Sequence, residues 1–260
     1  MLKRTNYLKL AIAKYSKKLD TKGYVANHDG NITVKTEDGL LATPTSEAKA
    51  EITPEMVIKL DYEGKKLEGI GKPFSEVKLH IAAYQARPDA QAVVHAHAPY
   101  ATARGLVGQE LRPRLPEAIV SIGDLIPVVP HAMPGSEENI RSVKEIFKTT
   151  DVCLIQGNGV LAIGDDLEQA FLRLELVEHL CKMECLANQM GAPMELPQNE
   201  IAQLLEKRKA AGLGPDARDL EKYIQDMPTK KPCDVAQGKP SADDIRNIIA
   251  EEISKALISN

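Results

Sequence analysis

The chain has 260 residues, of which 43% are hydrophobic and 27% charged, and its formal net charge at pH 7 is −4. This composition is typical of a globular protein with a substantial core, and the acidic balance argues against a nucleic-acid binder, which would usually be basic. The longest apolar runs are too short to span a bilayer, and no secretory h-region is visible at the N-terminus. We therefore expect a cytoplasmic protein whose four cysteines are thiols.

The first part of the chain predicts a helix followed by antiparallel hairpins. Apolar residues recur at helical spacing over 3–20. Alternating apolar residues indicate strands over 31–35 and 40–44, joined by a turn at 37–39, and a further strand over 56–61.

The middle of the chain predicts helices and short strands in turn. A helix is expected from Glu76 to about Ala86, with Ser75 as its N-cap. The later elements are helices over 99–108, 136–148 and 166–190, and strands over 118–120, 126–130 and 152–164, the last broken by a Gly157-Asn158-Gly159 turn. Together these elements indicate an α/β class with one main sheet flanked by helices.

Near residue 195 the sequence changes from apolar-faced helices and strands to more charged and polar segments. We predict one domain over 1–195 and a helical C-terminal extension over 196–260. Helices are expected in this extension over 200–211, 219–225 and 245–257, the last with an isoleucine-rich stripe that must pack on something.

Two histidines stand at the end of the most apolar short strand, over 92–97. Side chains alternate along a strand, so His95 and His97 are expected to point to the same face. Neutral imidazole is a common ligand for zinc and its neighbours. The pair predicts either a shared divalent metal or two hydrogen-bonded core histidines, and these residues alone leave both interpretations open.

The order and spacing of these features resemble the class II aldolase/adducin family over roughly residues 5 to 190. The stretches that carry the resemblance are 29–34, 41–45, 75–80, 83–97 and 157–164. It implies a three-layer α/β/α domain around a central mixed, largely antiparallel sheet. It also implies a homotetramer with active sites between subunits.

The resemblance also implies roles for individual residues. His95 and His97 would bind a divalent metal, zinc first, with manganese or cobalt as alternatives. Glu76 would be the general acid/base. The groups that would hold a substrate phosphate are Gly30, Asn31, Thr45, Ser46 and Ser75.

The chain departs from the family pattern at four points. Asn158 stands where the family has its third histidine ligand, and an amide oxygen is a weaker ligand than imidazole. Phe74 replaces a small residue, and Ser46 replaces a glycine. No tyrosine occurs between Tyr100 and Tyr223, where the family's aldolases use one.

Replacement third ligands could come from elsewhere in the chain. His28, His131 and His179 are the candidate histidines for this role. Asn158 itself is predicted to be a weak third ligand or a near neighbour of the metal.

The function that the resemblance implies is a metal-dependent aldolase-type lyase acting on a small sugar, sugar phosphate or hydroxy-carbonyl compound. A metal-stabilised enediolate would accompany cleavage of the carbon–carbon bond. A decarboxylase or epimerase on the same scaffold is one alternative. A catalytically silent, adducin-like structural or binding module is the other.

Overall fold

The computed structural model describes residues 2–133 and 135–217, which fall in one compact unit. Its centre is an eight-stranded sheet in the order β4-β3-β2-β1-β5-β8-β7-β6, antiparallel throughout except for the parallel β6–β7 pair. The strands are β1 (Asn31–Thr36), β2 (Gly39–Ala42), β3 (Ile58–Leu60), β4 (Lys66–Glu68), β5 (Ala92–Ala96), β6 (Val128–Val129), β7 (Val152–Ile155) and β8 (Gly159–Gly164). The expected mixed, largely antiparallel sheet is confirmed.

Helices cover both faces of this sheet. They are α1 (Leu2–Thr21), α2 (Val77–Ala86), α3 (Pro99–Leu106), α4 (Pro116–Ile122), α5 (Glu137–Phe147), α6 (Leu167–Met190) and α7 (Gln198–Ala210). One apolar cluster joins the sheet to α1, α3, α4 and α6, and a second joins its other face to α2 and α5. The chain therefore has the predicted three-layer α/β/α architecture.

The alternation along β5 decides which layer receives each side chain. Val94 packs in the cluster with α1 and α6, whereas Val93 packs in the cluster with α2 and α5. His95 follows the parity of Val93 and therefore points to the α2 side of the sheet. Buried apolar residues on both sides of β5 thus force two imidazoles toward the start of α2.

Two expectations about local structure were wrong. Residues 118–120 belong to α4 rather than to a strand, because Pro116 starts a helix whose buried residues Ala118, Ile119 and Ile122 follow helical spacing. Ser75 is not the N-cap of α2. Glu76 occupies that position, and no side chain caps the helix.

The other helix starts agree with the sequence. Ser136 accepts a hydrogen bond from the backbone of Asn139 at 3.2 Å, which caps α5. The cysteines at 153, 181 and 185 are free thiols. Cys233 and the helices expected over 219–225 and 245–257 lie outside the described residues. In the part of the chain that the structure describes, we find no helix with the length and apolar character needed to cross a membrane.

A buried charge cluster closes the far end of β7. Asp151 is fully buried and accepts a hydrogen bond from Arg87 at 2.6 Å. It also pairs with Arg173 at 3.0 Å and with Arg208 of α7, while Arg87 pairs with Asp89 at 2.7 Å. α7 packs on α4, and Arg208 ties it to the sheet. The boundary at residue 195 stays a prediction.

Candidate active site

The predicted catalytic and metal-binding residues converge where β1, β5 and β8 meet the start of α2. Asn31 lies opposite His95 in the β1–β5 register. Ala96 lies opposite Val160 in the β5–β8 register, which brings the Gly157–Gly159 turn beside His97. Sheet register therefore gathers groups that are far apart in the sequence.

The two histidines are neighbours with a fixed orientation. Their ring centroids are 5.1 Å apart and the ring planes are tilted by 77°. His95 Nδ1 lies 2.9 Å from the Val160 carbonyl oxygen, and His97 Nδ1 lies 3.3 Å from Asp29 Oδ2. Because each Nδ1 faces an acceptor, the proton of each neutral ring belongs on Nδ1 and the lone pair on Nε2.

Neither Nε2 atom has a hydrogen-bond partner, although both atoms are buried. Buried polar atoms are nearly always paired, so an orphaned pair calls for an explanation. Burial also lowers the pKa of His95 below its ordinary value despite the neighbouring carboxylate of Glu76, so this ring is neutral at pH 7. Two adjacent imidazoles whose Nε2 atoms are buried and unpartnered are suited to bind a cation.

Glu76 is held by amide groups on both of its oxygens. Asn31 Nδ2 donates to Oε2 at 3.0 Å, and Asn158 Nδ2 donates to Oε1. Burial would raise the pKa of this carboxyl, but His95 and the two amide donors lower it to about 2. The side chain is therefore a carboxylate at neutral pH and can accept a proton.

The donor atoms fit a divalent cation in spacing and in type. Glu76 Oε2 lies 3.4 Å from His95 Nε2. Two ligands of a tetrahedral ion with bonds of about 2.1 Å are also about 3.4 Å apart. Among residues 2–133 and 135–217, however, no three His, Cys, Asp or Glu side chains form a ready-made metal cluster. The Glu76 oxygens already accept amide hydrogen bonds, so the unpartnered Nε2 atoms of His95 and His97 are the groups available to a cation.

Glycines let the backbone approach the histidines closely. A Cβ on Gly159 would lie 2.3 Å from the Ala96 carbonyl oxygen and 2.9 Å from the His97 ring. Gly30 has a φ of +73°, and a Cβ there would meet Val25 at 2.6 Å and the His95 carbonyl oxygen at 3.0 Å. Only glycine fits either position without movement of the strand.

The loops predicted to hold phosphate are joined to one another. Thr45 donates its backbone N–H to the Lys72 carbonyl at 2.9 Å, which connects its loop to the segment leading to Ser75. Lys49 is buried and donates to the carbonyl of His28 at 3.2 Å, connecting the same loop to the Gly30 turn.

The two serines of these loops are exposed, and one has an unusual backbone. Ser46 has a φ of +61°, a conformation that favours glycine. This explains why a glycine is expected at the position, and serine tolerates it at some cost. Ser75 is exposed beside Glu76.

The alternative histidines occupy other places. His131 lies 3.7 Å from where a Cβ on Gly157 would be, so it flanks the turn between β7 and β8. His179 is exposed on α6 and lines a surface cavity with Lys22 and Lys182. The side chain of His28 is exposed, and its carbonyl faces Lys49.

Two residues near the site, Asp29 and Lys49, were not predicted from the sequence. Asp29 contacts His97 and Lys49 ties two loops, but neither has a local signature beyond being a charged residue in a loop. Thr33 and His80 form a buried hydrogen bond at 2.8 Å under the site. Burial lowers the pKa of His80 to about 3, so it is a neutral packing residue.

Known proteins match most of the described chain. The family model for the class II aldolase and adducin N-terminal domain matches residues 10–185. L-fuculose phosphate aldolase of Escherichia coli strain K12 is 36% identical over 186 residues, or 71% of this chain and 86% of the relative. A 3-oxo-tetronate 4-phosphate decarboxylase of Escherichia coli O6:H1 is 31% identical over 168 residues, which are 62% of this chain and 78% of that relative. A solved L-fuculose 1-phosphate aldolase matches with a TM-score of 0.72 and 30% identity, over 78% of this chain and 96% of that one.

Proposed function

Because this chain belongs to the class II aldolase and adducin family, we propose that it is a metal-dependent lyase of the aldolase type. Its substrate is a small phosphorylated sugar or a related hydroxy-carbonyl compound. The observation that carries the proposal is the pair of orphaned Nε2 atoms of His95 and His97 beside the carboxylate of Glu76. The names of the relatives, which include aldolases and a decarboxylase of phosphorylated compounds, support the reaction and substrate class.

Glu76 moves the proton in this reaction. As a carboxylate it takes the proton from the hydroxyl group next to the bond that breaks. The O–H electron pair forms the new carbonyl, and the electron pair of the broken carbon–carbon bond passes to the fragment that already carries a carbonyl. That fragment then regains the proton from Glu76, so the carboxylate is restored and atoms and charge balance.

His95 and His97 would hold the metal through Nε2. We propose zinc, with manganese or cobalt as alternatives. When bound, the cation would supply Lewis-acid stabilisation of the negative charge that develops on the substrate oxygens. The role of Asn158 as a third ligand is an untested prediction, and the observed hydrogen bond from its amide nitrogen to Glu76 does not favour it.

The substrate phosphate is proposed to lie among the joined loops. Gly30, Asn31, Thr45, Ser46 and Ser75 supply backbone and side-chain polar groups there. The buried lysine that ties two of these loops supports a preformed pocket. A homotetramer with sites between subunits and a cytoplasmic location complete the proposal.

Decarboxylation is the second candidate, since one of the relatives is named for it. Loss of carbon dioxide from a 3-oxo acid leaves the same kind of carbanion but removes no proton at the start. Aldol cleavage differs in that it begins with a proton transfer to a base, which is the role proposed here for Glu76.

The test combines metal content with product analysis. The full-length protein is analysed by mass spectrometry for metals, as purified and after incubation with zinc, manganese or cobalt. Ketose 1-phosphates are then assayed for aldehyde release, and 3-oxo acid phosphates for carbon dioxide. About one metal per chain and aldehyde release are expected.

Substitutions test separately which residues bind the metal and which residue transfers the proton. H95A/H97A should lose the metal, whereas H179A, at an exposed histidine on α6, should keep it. E76Q should keep the metal and lose activity by roughly 10²–10⁴-fold. Failure of the wild-type chain to bind any of the three metals would overturn the proposal and favour the silent binding module.

A further inference from the structure

The residue in the position of the family's third histidine has a defined contact here. Asn158 donates a hydrogen bond from Nδ2 to Glu76 Oε1, although 82 positions separate the two residues. Asn31 donates to the other carboxylate oxygen at 3.0 Å. Each oxygen of Glu76 thus has its own amide donor.

The chemistry of the two groups fixes which end of the amide faces the carboxylate. An ionised carboxylate only accepts hydrogen bonds, so the NH₂ end of Asn158 must face Glu76. A histidine that ligated a metal from this position would point the lone pair of one ring nitrogen at the metal, and its remaining N–H would point away from it. The change from histidine to asparagine therefore adds a donor for Glu76 and removes a strong ligand.

The backbone holds this contact in place. Asn158 donates its own N–H to the Ile155 carbonyl at 2.9 Å, which closes the turn between β7 and β8. Gly159 packs against the Ala96 carbonyl so closely that no side chain fits. The tip of the hairpin cannot shift toward the histidines without breaking this packing.

The position of Glu76 makes such a restraint necessary. Glu76 precedes α2 as its N-cap, and its side chain makes no capping hydrogen bond there. The contacts that orient the carboxylate come instead from Asn31 on β1 and Asn158 in the β7–β8 turn. Two donors from opposite sides fix the plane of the carboxylate beside His95.

We propose that Asn158 is a positioning residue that orients Glu76, and that two imidazoles, rather than three side chains, anchor the metal in this chain. This inference rests on the proposed function for the role of Glu76. It assigns to Asn158 a contribution to turnover instead of metal affinity.

The test separates these two contributions with N158A, N158H and the control N188A, which removes an exposed asparagine on α6. Cobalt is used as the probe, because its visible spectrum reports the number and type of its ligands. For N158A we expect cobalt affinity within about threefold of wild type and an unchanged spectrum. We expect kcat to fall by roughly 10–100-fold, with KM changed by less than about threefold. N188A should match the wild type.

N158H tests the reverse change. A third imidazole should raise cobalt affinity by about tenfold or more and change the spectrum, while kcat falls because Glu76 loses a donor. An N158A variant that loses cobalt affinity tenfold, or one that keeps full kcat, would overturn the inference. If the wild type bound none of cobalt, zinc and manganese, the proposed function would be overturned instead.

Crystal structures of the metal-free wild type and N158A give a readout that is independent of turnover. We expect Glu76 Oε2 in the variant to move away from His95 Nε2, beyond the present 3.4 Å. An unmoved carboxylate would show that Asn31 alone orients it, and the inference would be wrong.

Discussion

Removal of the Asp29 carboxylate should weaken metal binding through His97 without touching a ligand. Asp29 Oδ2 lies 3.3 Å from His97 Nδ1, on the side of the ring opposite the orphaned Nε2. A carboxylate in this place holds the ring in one tautomer and makes Nε2 a better donor to a metal. The variants are D29A, which removes the acceptor, and D29N, which keeps an acceptor but removes the charge.

The structure indicates that the loss of metal affinity in D29A lies at the lower end of the range usual for such partners. Loss of such a partner typically costs 10–100-fold in metal affinity. The 3.3 Å separation is longer than that of a strong charge-assisted hydrogen bond, and the side chains of His97 and Asp29 are 30% and 39% exposed. We therefore expect about a tenfold loss for D29A, or ~1.4 kcal/mol, and a smaller loss for D29N.

The assay is competition for zinc against a chromogenic chelator with full-length protein. D20A serves as the control, because it removes the same charge from an exposed position on α1. Thermal unfolding in the absence of metal checks that D29A remains folded. An affinity for D29A within twofold of wild type would refute the idea that Asp29 supports His97.

Three further predictions concern the scaffold. D151N should lower the free energy of unfolding by about 3–5 kcal/mol in urea titrations at pH 7, since it leaves the buried arginines around Asp151 without their shared counterion. Burial opposes the ionisation of Asp151, but these arginines hold its pKa below the ordinary value. The stabilisation that ionised Asp151 provides is therefore complete above about pH 4, and it is lost as the pH falls through the lower pKa of the folded state. The difference in free energy of unfolding between wild type and D151N should narrow over that pH range. A difference that stays constant would contradict the role of Asp151 as the ionised counterion. R208M should lower the free energy of unfolding by only ~2 kcal/mol, because it removes hydrogen bonds but leaves two arginines to balance Asp151 and Asp89. A decrease as large as that of D151N would contradict this reasoning. G159A should lower stability by more than ~1 kcal/mol and weaken zinc binding, since its Cβ would collide with the Ala96 carbonyl; unchanged unfolding and zinc titrations would count against the close packing.

The parts of the fold that follow from local pattern were predictable. The apolar strand over 92–96, the Gly-Asn-Gly turn and the capped start of α5 each have a sequence signature of a few residues. The α4 helix was not, because a short run of apolar β-branched residues fits a strand as well as a buried helix. Pro116 was the available signal, and it favours the first turn of a helix.

The contacts within the site needed the three-dimensional structure. A resemblance could bring His95, His97 and Glu76 to one place, but it could not show that Asn158 would turn its amide nitrogen to Glu76. That contact depends on the register of β5 with β8, which nothing in the turn sequence specifies. Asp29 was missed for a similar reason, since a loop aspartate has no periodicity that reports its partner.

The β7–β8 hairpin extends from the candidate active site, at its turn, to a contact with α7, which follows the part of the chain matched by the family model. Asn158 lies in its turn, and Asp151 lies four strand residues away at the other end of β7, a distance of roughly 13–16 Å. Arg208 belongs to α7, beyond the matched residues 10–185, yet it is buried against Asp151. The contact between Arg208 and Asp151, the residue before β7, therefore links this end of the hairpin to α7 and to the Val120 carbonyl of α4. Because Arg208 touches none of the groups around Glu76, its loss should reduce stability while cobalt affinity and spectrum stay as in the wild type. Asn158 should behave in the opposite way, since its side chain contacts Glu76 and supports no part of the core.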